Sequence, residues 1–270
     1  MEGIALFGKG GSGKSTIAAN LSYLFAKRGL RVLHVGCDPK RDSTIRLLGQ
    51  RVSTTMLDAA LGGDPRASIL RSRHGIDCVE TGGPPPGIGC AGRGIILTME
   101  QFERLHVFSA GAYDVVLFDV LGDLVCGGFA APLRHGFAKK VGVVLSDEPM
   151  SILAANNIAH MVGTYAAGGV GLAGLIGNCR GSGQAASAVI ESFAARLGTR
   201  VLAHFGREPL VRRAERDRRT VAEYAPDAPV TALLERLADT LLALDAATLT
   251  LPTPLSEDEL DRFLGDAPVD

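Results

Sequence analysis

Short apolar runs alternate along this chain with stretches whose apolar residues recur at helical spacing. The runs Ile4–Phe7, Arg31–Val35, Val115–Asp119, Val141–Leu145, Leu172–Ile176 and Arg200–His204 lack the in-and-out alternation of a half-exposed sheet. They predict strands buried on both faces, hence a parallel sheet. Ser15–Lys27, Met150–Tyr165, Ala186–Leu197 and Val230–Leu244 read as helices. The alternation predicts an α/β fold: a doubly wound, mainly parallel sheet with right-handed crossovers. TGGPPPGIGCAGRG at 81–94 is too rich in Gly and Pro for either element and predicts a long surface loop, the kind that carries function. The stretch from about 247 to 270 holds two prolines and then a short acidic helix, and predicts a tail that wraps over a neighbouring subunit.

Composition narrows the function classes. With 270 residues, 46% of them hydrophobic, the chain can bury a sizeable core, and we expect one domain over 1–270. A formal net charge of −1 gives no global basic footprint, so no nucleic-acid partner is expected. The arginines of RRAERDRR at 212–219 alternate with acids and read as an ion-paired or docking face of a helix. No uncharged apolar stretch reaches spanning length, so no membrane partner is expected. Five cysteines, an odd count, and an opening without signal-peptide features point to a cytoplasmic protein with reduced thiols.

The strongest chemical signal is Gly8-Lys9-Gly10-Gly11-Ser12-Gly13-Lys14-Ser15-Thr16, between a predicted strand and a predicted helix. Glycines there let backbone N–H groups approach phosphates, Lys14 reaches the β and γ oxygens, and Ser15 ligates Mg²⁺ at the positive end of the helix. Lys9 is an additional cation inside the loop, able to neutralise charge on a transferring phosphoryl group. Gly36-Cys37-Asp38-Pro39-Lys40-Arg41-Asp42-Ser43 closes the second strand at the carboxyl edge where open α/β sheets bind ligands, and reads as a first switch with Asp38 or Asp42 near Mg²⁺ or the attacking water. Val115–Asp119 ends in a carboxylate that should face Mg²⁺. Gly122 follows, positioned to offer its amide to the γ-phosphate, so that 119–126 reads as a second switch.

Cys126 lies seven residues beyond Asp119, and Cys90 sits in GIGCAGRG. Both are flanked by glycines, which allow close backbone approach and amide hydrogen bonds to sulfide, and both read as iron–sulfur ligands. Two thiolates are half of what a four-iron cluster needs, so the chain would pair with a copy of itself across a two-fold axis. Cys37, Cys78 and Cys179 read as small packing residues in strands. A zinc site is disfavoured, because no CxxC occurs and no histidine stands at ligand spacing from Cys90 or Cys126.

GKGGSGKST, GCDPKRDST, GGPPPGIGCAGRG, FDVLGDLVCGGFAAPLR, AANNI and RRAE together resemble the nitrogenase iron protein family, including the reductase components of nitrogenase-like enzymes, over nearly the whole chain. The resemblance implies a homodimer with one 4Fe–4S cluster held by Cys90 and Cys126 of each subunit, MgATP and MgADP as nucleotides, and Lys9 reaching the nucleotide of the opposite subunit. It assigns Lys9, Lys14, Ser15, Thr16, Asp38, Lys40, Asp42, Asp119 and Asp123 to nucleotide, metal or switch roles, with Asp123 orienting the attacking water. It places Asn178 at the adenine, with Arg207, Glu208 and Glu215 nearby, and makes Arg93 a site of regulatory ADP-ribosylation on the surface that docks the catalytic partner.

What the resemblance implies about function is an ATP-dependent electron donor that takes electrons from a ferredoxin or flavodoxin and passes them to a separate two-subunit catalytic component. The short middle segment DAALGGDPRASILRSRHGIDC, and SDEPMSIL before AANNI, depart from the pattern of nitrogenase iron proteins. They lead us to expect a nitrogenase-like system, with reduction of methylthio-alkanes by carbon–sulfur cleavage ranked first. Nitrogenase itself and the protochlorophyllide, chlorophyllide and nickel-sirohydrochlorin reductases are the alternatives. Readings of another class are a non-redox ATPase switch and an iron–sulfur carrier.

Overall fold

A computed structural model describes residues 1–84, 88–109, 111–122, 127–179 and 184–266. Its strands are β1 (Glu2–Gly8), β2 (Val32–Cys37), β3 (Leu70–Arg71), β4 (Asp77–Glu80), β5 (Val115–Leu121), β6 (Lys140–Leu145), β7 (Gly171–Asn178) and β8 (Val201–Phe205). They form one sheet in the order β3-β4-β2-β5-β1-β6-β7-β8. Every pairing is parallel except β3 with β4. All six apolar runs became strands, for the reason the pattern suggested: β2 and β6 are buried along their whole length, which only a sheet covered on both faces permits.

Two apolar cores sandwich the sheet. On one face Ile4, Leu6, Val32 and Leu117 lie beneath the helices Lys14–Lys27 and Pro229–Ala243. On the other, Phe7, Val35, Phe118 and Val143 lie beneath Gly92–Arg104, Pro149–Thr164 and Gln184–Leu197. Each such side chain contributes about 1.5–3 kcal/mol relative to exposure, so the frame around the strand ends is held from both sides.

The predicted loop at 81–94 is corrected at its end. A helix begins at Gly92, and Gly92 and Gly94 are buried. A Cβ on Gly94 would sit 2.2 Å from the carbonyl oxygen of Gly82, so this glycine permits close backbone contact inside a helix. The described part of the tail packs on its own chain. Leu255, Leu260 and Phe263 are buried, Phe263 meets Phe193, and the Asn156 side chain exchanges two 2.9 Å hydrogen bonds with the backbone of Leu255.

Candidate functional site

β1 delivers the chain to a loop that closes tightly on itself. A Cβ on Gly8 would lie 2.4 Å from the Val144 carbonyl oxygen, and one on Gly13, at φ 87°, would lie 2.1 Å from Asn178 Nδ2. Gly11, at φ 84°, has open space where a Cβ would go. The loop thus needs glycine at two positions for contact and leaves a third open to solvent or ligand. Ser12 Oγ is buried without a hydrogen-bond partner, and the helix Lys14–Lys27 starts directly behind it without a side-chain cap. An orphaned hydroxyl and uncapped amides at a helix N-terminus fit the phosphates of a nucleotide.

Lys14 is buried and its Nζ pairs with Asp119 Oδ1, while Ser43 Oγ donates to Asp119 Oδ2. Burial alone would raise the Asp119 carboxyl, but the Lys14 charge and hydrogen bonds from Lys14, Ser15 and Ser43 hold it below its ordinary value. Asp119 is therefore a buried carboxylate, with Lys14 occupying the oxygen that would otherwise face a cation. A cavity of 410 Å³ is lined by Lys14 and Lys40 together with Ser15, Asp38 and Asp42, the last three being residues expected near Mg²⁺. Asp38 is engaged in its own turn, accepting from the Lys40 amide at 2.9 Å and lying 3.7 Å from Lys40 Nζ.

The Gly122 amide donates to the Gly8 carbonyl at 2.9 Å. In this arrangement it holds the residue after β5 against the phosphate loop.

A second cavity, of 610 Å³, runs from the loop to the expected adenine side. Lys9, Thr16, Asn178, Arg207, Glu208 and Glu215 all line it. Three of them have structural duties that the sequence did not reveal. Asn178 Nδ2 donates to the Ser12 carbonyl at 2.6 Å and braces the loop. Glu208 accepts from the Leu210 amide at 2.9 Å and caps the helix Pro209–Arg216. Glu215 accepts from Thr16 Oγ1 at 2.7 Å and pairs with Arg46 at 2.5 Å, joining the adenine-side helix to the residues that follow the first switch. Phe205, Val211, Val230 and Leu234 supply an apolar wall that no motif announced.

Asp123 and Cys126 lie outside the described residues. Cys90 is exposed at the head of the helix Gly92–Arg104, and its carbonyl accepts from the amide of Arg93, itself exposed. The free thiols among the described residues are Cys37, Cys78 and Cys179, all buried. Burial pushes all three thiols up, Cys179 to about 11, so they remain neutral and unsuited to ligation. A Cβ on Gly128 would lie 2.5 Å from Gly92 Cα, so the segments that follow Cys90 and Cys126 meet backbone to backbone. Gly92 and Gly128 are both buried, and they stand two positions after Cys90 and Cys126 in the chain. Among the described residues no group of three or more His, Cys, Asp or Glu gathers around one point. Cys90, exposed at the head of a helix, is a donor of the kind a thiolate-held cluster takes.

A strand, a glycine-rich loop with Lys9 and Lys14, and a carboxylate at the end of a neighbouring parallel strand define a P-loop nucleotide-binding protein. MinD from Pyrococcus horikoshii, solved with Mg-ADP, superposes with a TM-score of 0.72 at 21% identity, covering 92% of this chain and 100% of that one. A ParA family ATPase from Chlorobium tepidum superposes at 0.68 with 18% identity, covering 90% and 99%. At these identities the likeness shows the fold. The chain belongs to the 4Fe-4S iron–sulfur cluster binding proteins of the NifH/frxC family, whose family model matches residues 2–269. It is 41% identical over 271 residues to the nitrogenase iron protein of Methanospirillum hungatei, covering 97% of this chain and 95% of that protein. To nitrogenase iron protein 2 of Methanothermobacter thermautotrophicus it is 43% identical over 265 residues, covering 97% of each. The family binds a 4Fe–4S cluster that bridges a homodimer, uses MgATP, and delivers electrons to a catalytic component. No helix among the described residues is long and apolar enough to cross a membrane.

Proposed function

We propose that this chain is the MgATP-dependent electron donor of a two-component reductase, with Cys90 and Cys126 of each subunit holding the shared cluster. The observation that supports the reading is the close approach of Gly92 and Gly128, each two positions past one of the two cysteines, on a chain whose β5 carboxylate pairs with the phosphate-loop lysine. When bound, the cluster supplies one-electron transfer and the nucleotide supplies free energy on hydrolysis. The chain's own part is to couple the two. For Lys14 to reach phosphate oxygens it must leave Asp119, which frees a carboxylate oxygen toward Mg²⁺ held with Ser15. Asp119 and Gly122 belong to the segment that runs into Cys126, so a rearrangement at one end is passed along a short stretch of backbone to the other. Lys9 reaches the nucleotide of the opposite subunit, and Asp38 and Asp123 orient water there.

As the terminal reaction we propose reductive carbon–sulfur cleavage of methylthio-alkanes, on the departures at 58–78 and 146–153. The names of the two relatives favour nitrogenase as the second reading. The decisive experiment is anaerobic electron paramagnetic resonance of dithionite-reduced protein with iron counting. About four irons per dimer and a reduced signal altered by MgATP are expected. Cys126→Ala should abolish the signal, and an intact reducible cluster in that variant would falsify the ligand assignment. Co-purification of the catalytic component, followed by product analysis with methylthio-alkane or dinitrogen, separates the two acceptors.

A further inference from the structure

In β2, one polar side chain stands among apolar ones. His34, in the middle of β2, is in register with Leu117 of β5 and Cys78 of β4, and it is fully buried. One pleat further along, Gly36 is in register with Asp119 and Glu80. Gly36 has no side chain to fill the space above it, and a Cβ there would lie 2.7 Å from Ser43 Cβ. Into that space drops Ser43, fully buried, at the end of the first switch.

The imidazole bridges two hydroxyls. His34 Nδ1 lies 2.8 Å from Ser22 Oγ of the phosphate-loop helix, and Nε2 lies 2.8 Å from Ser43 Oγ. The order of protons along this chain of contacts follows from its last member. Asp119 is a carboxylate and can only accept, so the Ser43 hydroxyl donates to Oδ2. Ser43 must then accept from His34, which places the imidazole proton on Nε2. Nδ1 is left as an acceptor for the Ser22 hydroxyl.

We propose that His34 is a positioning residue for the Mg²⁺ site: its Nε2–H fixes the Ser43 hydroxyl toward Asp119 Oδ2, and this commits Oδ2 so that Oδ1 alone exchanges between Lys14 and the metal. This inference rests on the reading that Asp119 faces Mg²⁺. A hydroxyl without that donor has two directions to choose from, and the carboxylate beyond it loses its fixed plane. Outer partners of this kind tune metal affinity because they restrict the orientation of the inner oxygen. The same contact ties the end of the first switch to the core of the sheet, so the part of the switch left to move is the stretch 39–42, half-buried except for the exposed Lys40.

A histidine kept only to satisfy core polarity would show none of this beyond stability, and the test is built on that difference. The full-length, anaerobically purified protein would be titrated with Mg²⁺ in the presence of a slowly hydrolysed ATP analogue, and the Mg²⁺ concentration that half-saturates binding recorded. His34→Leu should raise it about tenfold or more. His34→Gln, whose amide nitrogen reaches the place of Nε2, should restore most of the affinity. Ser22→Ala should lower the melting temperature while leaving the Mg²⁺ requirement unchanged. Nitrogen-15 spectra of the wild-type imidazole, recorded without nucleotide, should show the proton on Nε2, a readout that does not depend on any variant folding. A proton on Nδ1, or an unchanged Mg²⁺ requirement in His34→Leu when Asp119→Asn raises it, overturns the inference. An unchanged requirement in Asp119→Asn overturns the underlying metal reading instead.

Discussion

Near their carboxyl edges β5 and β4 flank the same glycine, Gly36, and each carries there a carboxyl group only 1% exposed, yet the two groups behave in opposite ways. At the β5 edge Asp119 has a buried lysine and two hydroxyl donors around it and is held below its ordinary value. At the β4 edge no cation among the described residues pairs with Glu80. Burial pushes it up to about 8, against two 2.8 Å hydrogen bonds from the amide and hydroxyl of Thr44 that pull it down, with Asp119 and Asp42 adding to the rise. Its second oxygen is buried without a partner. Equal burial thus yields a charged group where a cation is built in and a largely protonated one where only dipoles are. The first suits exchange with a metal ion, and the second suits an uncharged clamp on the residue that follows Ser43.

The largest effect is expected from Asp119→Asn. It should lower MgATP hydrolysis at least about 100-fold, reflecting the several kcal/mol that a metal contact to phosphoryl oxygens supplies. Phosphate release measured against the wild type checks it, and activity within a few-fold would erase the distinction between the two edges. Gly36→Ala should come next. Its methyl group would lie 2.2 Å from Glu80 Oε2, and overpacking of this kind costs about 1–3 kcal/mol in a denaturant titration. A neutral result would mean that Glu80 and Ser43 can both retreat.

The smallest effect, and the most specific, belongs to Glu80→Gln. In the folded chain the carboxyl keeps its proton up to about pH 8, whereas its ordinary value is 4.5. Between those limits the unfolded state binds fewer protons, so wild-type stability falls as pH rises, by up to about 1.4 kcal/mol per pH unit. Glutamine carries no such penalty. The stability gap between variant and wild type should widen in the variant's favour from about pH 5 to pH 8 and level off above. A gap that stays constant would show that Glu80 is ionised like Asp119.

Much of the frame was legible because its signals are local. Continuous apolar runs mark strands buried on both faces, and the glycine-lysine loop needs its residues adjacent in the chain to wrap a phosphate. The β4 strand was visible only as the short run around Cys78, and β3, two residues long, carried no periodicity at all. The helix that starts at Gly92 was hidden because glycine there reads as a loop, while its real cause is the backbone of Gly82 and Gly128 pressing against it. Asn178, Glu208 and Glu215 line the cavity beside the phosphate loop. Their bracing, capping and ion-pair duties depend on partners 166, 2 and 169 residues away, and the two distant ones could not be read from spacing.

Sequence by itself determined the sheet, the phosphate loop, the family, and the pair of glycine-flanked cysteines that a four-iron cluster requires. Each of these is written in residues close together in the chain, where periodicity and spacing have direct physical meaning. Tertiary structure alone decided which carboxyl group is charged. Asp119 lies near the carboxyl end of β5 and Glu80 ends β4, and only the fold sets Lys14 beside one and Thr44 beside the other. It also decided that His34, one polar residue in an apolar strand, is aimed at Ser43. A carboxyl's charge and an imidazole's tautomer are fixed by whatever lies within hydrogen-bond reach in space, and that neighbourhood exists only once the strands have paired.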